Sequence, residues 1–157
     1  MRIGIGYDIH PFAPGRPLVL GGARIPHEAG LGGHSDADVL THAVIDALLG
    51  AAALGDIGQH FPPDDPRYRD ADSLDLLRRT VEMVAGAGYR IVNVDATVVA
   101  EAPQLAPHTE AMRSTLAEAL HVEVGTVSVK ATTADGLGAI GRGEGIAALA
   151  VVLLDST

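Results

Sequence analysis

His34-Ser35-Asp36-Ala37-Asp38-Val39-Leu40-Thr41-His42-Ala43-Val44-Ile45-Asp46 is the stretch on which the reading of the fold turns. Its spacing predicts a helix. Val39, Leu40, Ala43, Val44, Ala47 and Leu48 recur as an apolar stripe. Asp38, His42 and Asp46 recur every four residues along the other face. Ser35 is expected to cap the helix, with Asp38 closing a capping box. One imidazole then stands between two carboxylates, at a helix whose N-terminus favours anions. Such a surface suits a metal or a phosphate.

Working outward, Arg2 to Tyr7 alternates as a half-buried strand, with Ile3, Ile5 and Tyr7 on one side. It runs into Asp8-Ile9-His10. In extended chain positions i and i+2 point the same way, so Asp8 and His10 share a direction. Together with His42 they offer two imidazoles and one carboxylate. Three protein ligands with a vacant fourth position is the pattern of a catalytic zinc site. The chain has no cysteine, which excludes a structural thiolate site and any disulfide.

Length and composition bound the rest. The 157 residues are expected to form one domain, residues 1–157. Hydrophobic residues make up 47%, yet there are two Phe, three Tyr and no Trp, so the core must be aliphatic. The net charge of −9 argues against a nucleic-acid binder. Met1 leads directly into the first strand, so no signal peptide is expected. The longest apolar run, Ile146 to Leu154, falls short of the about 20 residues a membrane span needs. These features lead to the expectation of a soluble, cytoplasmic protein.

Along the chain, Pro11 to Pro17 reads as a turn-rich connection, and Leu18–Leu20 with Ala23–Ile25 as a small hairpin. The first helix is expected to end near Leu54-Gly55, and Phe61 to Asp72 to be a loop. A second helix is predicted over about Ser73–Ala85, a strand over Tyr89–Ala100 with Val92, Val94, Ala96 and Val98 on one side, and a third helix over about His108–His121. Val127–Ala131 reads as a strand. The last strand, Ile146–Leu154, is apolar on both faces, so something must cover both. The fold class is therefore α/β (α+β): a mixed four-stranded main sheet with helices on one face and a hairpin. Three helices do not cover two faces, so association through the sheet is expected.

Five separated stretches carry a family resemblance. Gly-Tyr-Asp-Ile-His at 6–10, His-Ser-Asp-Ala-Asp-Val-Leu-Thr-His at 34–42, Gly-Asp-Ile-Gly at 55–58, Lys-Ala-Thr-Thr at 130–133 and Gly-Arg-Gly-Glu-Gly at 141–145 resemble the 2-C-methyl-D-erythritol 2,4-cyclodiphosphate synthase family. The resemblance implies a homotrimeric lyase of the non-mevalonate isoprenoid route, with active sites between subunits, one zinc and a second divalent ion, magnesium or manganese. Its substrate would be 4-diphosphocytidyl-2-C-methyl-D-erythritol 2-phosphate, and its products the cyclic diphosphate and CMP.

The same resemblance implies roles by position. Asp8, His10 and His42 would hold zinc, with Ile9 between them in the substrate site, and Asp135 the second ion. His34 and Ser35 would contact phosphate, and His34 and Thr133 would stabilise the transition state. Asp56, Ile57 and Gly58 would bind the erythritol hydroxyls, beside Phe61, Pro62, Pro63, Asp64 and Asp65. Ala100, Glu101, Ala102, Pro103, Gln104, Leu105 and Ala106, with Thr132 and Ala134, would frame cytidine from a neighbouring subunit. Ala139 and Arg142 would line a cavity on the threefold axis. Gln104 stands where Lys or Arg is expected, and Ala139 where a bulky apolar residue is expected. Asp135 stands where some relatives have Glu. Two other classes fit the residues alone: a zinc-dependent phosphoesterase or pyrophosphatase with Asp46 or Asp56 as base, and a non-catalytic nucleotide-binding module.

Overall fold

The computed structural model describes all residues, Met1–Thr157. Strand β1 spans Arg2–Ala13, followed by the hairpin β2 (Leu18–Leu20) and β3 (Ala23–Ile25) and by a two-residue strand β4 (Gly30–Leu31). Helix α1 is Val39–Ala52, α2 the single turn Ile57–His60 and α3 Ser73–Gly86. Then come β5 (Tyr89–Val99), α4 (Thr109–Leu120), β6 (Val127–Thr132), the short α5 (Gly138–Gly141) and β7 (Gly145–Ser156). The main sheet has the order β4-β1-β7-β5-β6. It is mixed: β7 runs antiparallel to β1 and β5, while β5 and β6 are parallel. The expected sheet thus gains a fifth, very short strand, and β1 continues through Pro11 where a turn was expected.

The sheet has one covered face. Helix α1 lies directly on β1 and β7, with α3 and α4 beside it. Gly4 and Gly6 make this approach possible. A Cβ on Gly4 would fall 2.0 Å from the carbonyl oxygen of Ala47, and one on Gly6 1.8 Å from that of Ala43. Alternation then sends Ile3, Ile5, Tyr7 and Ile9 to the opposite face, where Ile3 and Ile5 are 71% and 69% exposed. The side of β1 read as its apolar face is thus the outer one. Leu149 and Val151 of β7 extend the same open aliphatic surface, while Ile146, Ala148, Ala150, Val152 and Leu154 fill the inner face. On β5, Val94, Ala96 and Val98 point inward as predicted. Val92 falls at a bulge between Ile91 and Asn93, and Ile91 packs against the core instead.

Helix α1 differs from its prediction in two ways. It begins at Val39, and its N-cap is Asp38, whose carboxylate accepts from Thr41 N (3.0 Å) and Thr41 Oγ1 (2.7 Å). The same carboxylate accepts from Gly21 N (2.8 Å) and Gly22 N (2.7 Å) of the hairpin turn, so Asp38 is fully buried. There is also no open polar face: twelve of the fourteen helical residues are buried, because the sheet, α3 and the hairpin enclose α1. Asp46 accepts from Ile57 N (2.8 Å) and so anchors α2 to α1. No helix is long and apolar enough to cross a membrane.

Candidate metal centre and substrate cavities

The inward alternation of β1 continues from Gly4 and Gly6 to Asp8 and His10, which therefore face α1 at the level of His42. Asp8 Oδ2 lies 2.8 Å from His10 Nε2 and 3.0 Å from His42 Nδ1, and the two ring nitrogens are 3.3 Å apart. A zinc with bonds of about 2.0–2.1 Å in a tetrahedral site separates its donors by about 3.3 Å, so this triangle is close to the required size.

Hydrogen bookkeeping favours a cation there. His10 Nδ1 is 2.8 Å from the carbonyl oxygen of Gly32, which can only accept. In the neutral ring the proton is therefore on Nδ1, and Nε2 turns a lone pair toward Asp8 and His42. Burial opposes ionisation of Asp8, but hydrogen bonds from His10 and His42 and the charge of those rings outweigh it and hold the carboxyl at about 2. Burial likewise disfavours a charged His10, but the hydrogen bond to Asp8 and the Asp8 charge raise it above its ordinary value. A proton or a divalent metal satisfies the same electrostatic demand.

The triad opens into a cavity lined also by His34, Ser35, Ile57, Gly58, Phe61, Pro63, Tyr68 and Leu76. His34 Nε2 is 2.9 Å from the carbonyl oxygen of Asp65, which ties the ring to the loop after α2. Phe61 and Tyr68 meet edge to face with centroids 5.4 Å apart and form one wall. The remaining residues named for this side lie off the cavity. Ile9 points to the outer sheet face. Asp56 caps α2 and accepts from Gln59 N (3.0 Å) and Gln59 Nε2 (2.7 Å). Asp65 pairs with Arg67 at 2.6 Å, while Pro62 and Asp64 belong to the same loop without lining the cavity.

A second cavity is formed by Ala100, Glu101, Pro103, Gln104, Leu105, Ala106, Ala131, Thr132 and Thr133. Glu101 joins its two loops by accepting from Ala134 N (2.7 Å) and Gly136 N (3.4 Å). Asp135 is exposed beside Thr133, whose Oγ1 accepts from Asp135 N at 3.2 Å. Ala102 lies in the first loop off the lining, next to the cis Ala102–Pro103 bond. No residue is common to the two cavities: Thr133 lines the second alone, Asp135 lines neither, and Asp135 stands outside the Asp8–His10–His42 cluster. Ala139 and Arg142 line neither; Arg142 Nε donates to Glu144 at 2.6 Å.

Reasoning from sequence missed several contributors. Arg16 donates to the carbonyl oxygens of Gly33 (2.7 Å) and Ser35, on either side of His34. Tyr68 and Leu76 complete the first cavity, and Ser73 and Asp36 stand behind His42. None carries a local spacing signal toward the site, since their partners are remote in the chain.

A mixed sheet with one helical layer and a carboxylate–imidazole–imidazole triad lining a cavity defines an α/β protein with a potential metal site beside room for a small molecule. Residues 1–155 match the YgbB family, to which this chain belongs. It is 64% identical over 154 residues to the 2-C-methyl-D-erythritol 2,4-cyclodiphosphate synthase of Moorella thermoacetica, covering 98% of this chain and 94% of that one. The fold superposes on the bifunctional IspDF of Campylobacter jejuni with a TM-score of 0.96 at 42% identity, over 99% of this chain and 42% of that longer chain. A CDP-bound 2C-methyl-D-erythritol-2,4-cyclodiphosphate synthase structure matches with a TM-score of 0.90 at 38% identity, over 98% of this chain and the whole of the other.

Proposed function

We propose that this chain converts 4-diphosphocytidyl-2-C-methyl-D-erythritol 2-phosphate to 2-C-methyl-D-erythritol 2,4-cyclodiphosphate, releasing CMP. The observation that carries the reading is the Asp8–His10–His42 triad beside the His34–Ser35 cavity, in a chain of this family. The 2-phosphate oxygen attacks the β-phosphorus, the bond from that phosphorus to the CMP oxygen breaks, and CMP leaves with the electron pair. The nucleophile is part of the substrate and already anionic, so no activated Ser or Cys is needed. The protein's task is positioning and charge neutralisation. With only 11 Lys and Arg in the chain, that charge must be met largely by imidazole, backbone N–H groups and bound metal.

Asp8, His10 and His42 would hold zinc and Asp135 a magnesium or manganese ion; bound there, these ions supply Lewis-acid polarisation of the phosphates. His34 and Ser35 orient the reacting phosphate, and Thr133 offers a hydroxyl donor where charge develops. Asp56, Ile57 and Gly58 receive the erythritol hydroxyls, and Phe61 closes the pocket. The loop Ala100–Ala106 and Thr132 frame cytidine. The two cavities of one chain share no lining residue, which supports a site completed by the nucleotide loop and Thr133 of a second subunit. The exposed aliphatic face of β1 and β7 is the surface on which three chains would associate.

Phosphorus NMR of the reaction tests this directly. A cyclic diphosphate plus CMP is the expected outcome. CMP with a linear phosphate identifies a phosphoesterase, and an unchanged spectrum a binding module. His42→Ala should abolish both bound zinc and turnover.

A further inference from the structure

Behind the triad stands a second row of side chains that the proposed reaction does not use. His42 turns Nδ1 toward Asp8 and His10 and turns Nε2 into the protein, 2.9 Å from Ser73 Oγ and 3.2 Å from Ser35 Oγ. Ser73 is fully buried in the first turn of α3. Its hydroxyl donates to Asp36 Oδ1, and its backbone N–H donates to Asp36 Oδ2 at 3.0 Å. Asp36 is fixed in turn, its Oδ1 accepting from Asp38 N (3.1 Å) and its own N–H donating to the carbonyl oxygen of Ala71 (3.0 Å).

A hydroxyl has one hydrogen, and a carboxylate only accepts. Ser73 gives its hydrogen to Asp36, so its oxygen faces His42 as an acceptor. The hydrogen on that edge must then come from the ring. The neutral ring of His42 therefore carries its one proton on Nε2 and presents a bare Nδ1 to the metal position. Ser35 does not impose this, because its Oγ accepts from Ala37 N (3.2 Å) and keeps its own hydrogen free to point either way.

We propose that Ser73 and Asp36 form a positioning relay that holds His42 in the tautomer and orientation needed to bind metal through Nδ1. The proposal rests on the zinc reading of the triad. Partners of this kind behind a ligating histidine change metal affinity by about 10–100-fold when removed. The relay also explains why the start of α3 is stapled to the His34–Asp38 turn: the same contacts that build the fold set the ligand.

Two measurements test it. In zinc-loaded protein labelled with nitrogen-15 at histidine, the His42 Nε2 proton should be visible and slow to exchange. Its protection from exchange should be lost in Ser73→Ala and retained in Ser35→Ala. Zinc affinity, measured by competition with a chromophoric chelator, should fall about 10–100-fold in Ser73→Ala. Wild-type protein that binds zinc through His42 but shows no protected Nε2 proton overturns the relay, as does an unchanged affinity in Ser73→Ala. A wild-type chain that binds no zinc overturns the zinc reading itself, which separates the two failures.

Discussion

Gly6→Ala is the most direct test of how the fold builds the candidate metal centre. The added Cβ would sit 1.8 Å from the carbonyl oxygen of Ala43, and real Cβ atoms essentially never come closer than 3.0 Å to a neighbour. The obstacle is backbone, so no side chain can swing aside. Helix α1 must move away from β1 by roughly 1 Å at this point. Overpacking of this kind costs about 1–3 kcal/mol. The lower chain entropy of Ala over Gly offsets about 0.5–1 kcal/mol. A net loss of up to about 2.5 kcal/mol corresponds to a melting temperature lower by up to about 10 °C for a chain of this size. The effect on the site is larger in proportion. His42 immediately precedes Ala43 on α1, and Asp8 follows Gly6 on the same face of β1. Ligand constellations tolerate displacements of about 0.5 Å, so metal affinity should fall more than tenfold. Scanning calorimetry and chelator competition measure the two effects. Gly86→Ala is the control, because nothing lies within 4 Å of a Cβ there and its melting temperature should not fall. Wild-type stability together with wild-type metal affinity in Gly6→Ala would refute the argument.

Three further outcomes are expected. Asp38→Ala removes the acceptor for four donors, including two glycine N–H groups of the hairpin turn, and should cost about 3–5 kcal/mol, seen as a melting temperature lower by about 10 °C or more. Ile5→Glu places a charge on the open face of β1, where the side chain is 69% exposed in the single chain, so folding should survive while sedimentation shows the assembled species giving way to monomer. Metal affinity should depend on pH through His10: its pKa is raised above 6.5, protons compete with the metal at Nε2, and affinity should therefore drop as pH falls through that raised value, by about tenfold per pH unit below it, in isothermal titration.

The parts of this architecture legible in the sequence are those written locally. The period-two pattern of β1 and the period of α1 gave both elements, and Asp8, His10 and His42 could be grouped because strand and helix directions are fixed by the backbone. Which side of β1 is covered was not legible. Alternation distinguishes two faces without saying which one a helix will occupy, and here the small Gly4 and Gly6, not the large Ile3 and Ile5, receive the helix. The start of α1 is not legible in the sequence for a similar reason. Ser35 and Asp38 are both competent caps, and Asp38 prevails because the hairpin turn 17 residues earlier brings two more N–H groups to its carboxylate. Elements of two to four residues, such as β4 and α2, leave no periodicity to read. Ser73 and Asp36 carry no signal because their link to each other spans 37 positions.

Strand β1 ties these observations together. Its even-numbered residues, Gly4, Gly6, Asp8 and His10, form one continuous track under α1: the first two let the helix close, and the last two use that closeness to meet His42. Its odd-numbered residues, Ile3, Ile5, Tyr7 and Ile9, form an apolar track on the far side. Pleating makes the two tracks inseparable, since a slip of one residue would exchange them completely. Ten paired positions between β1 and β7 fix the register against such a slip, from Arg2 opposite Leu154 to Pro11 opposite Gly145. The candidate metal ligands and the candidate assembly surface are therefore set by a single choice of register. A substitution on one track reaches the other only by moving β1 as a whole. Gly6→Ala should accordingly weaken metal binding at an intact assembly surface, and Ile5→Glu should dissociate the assembly while each chain keeps its metal. The pair of variants separates the two tasks of one strand.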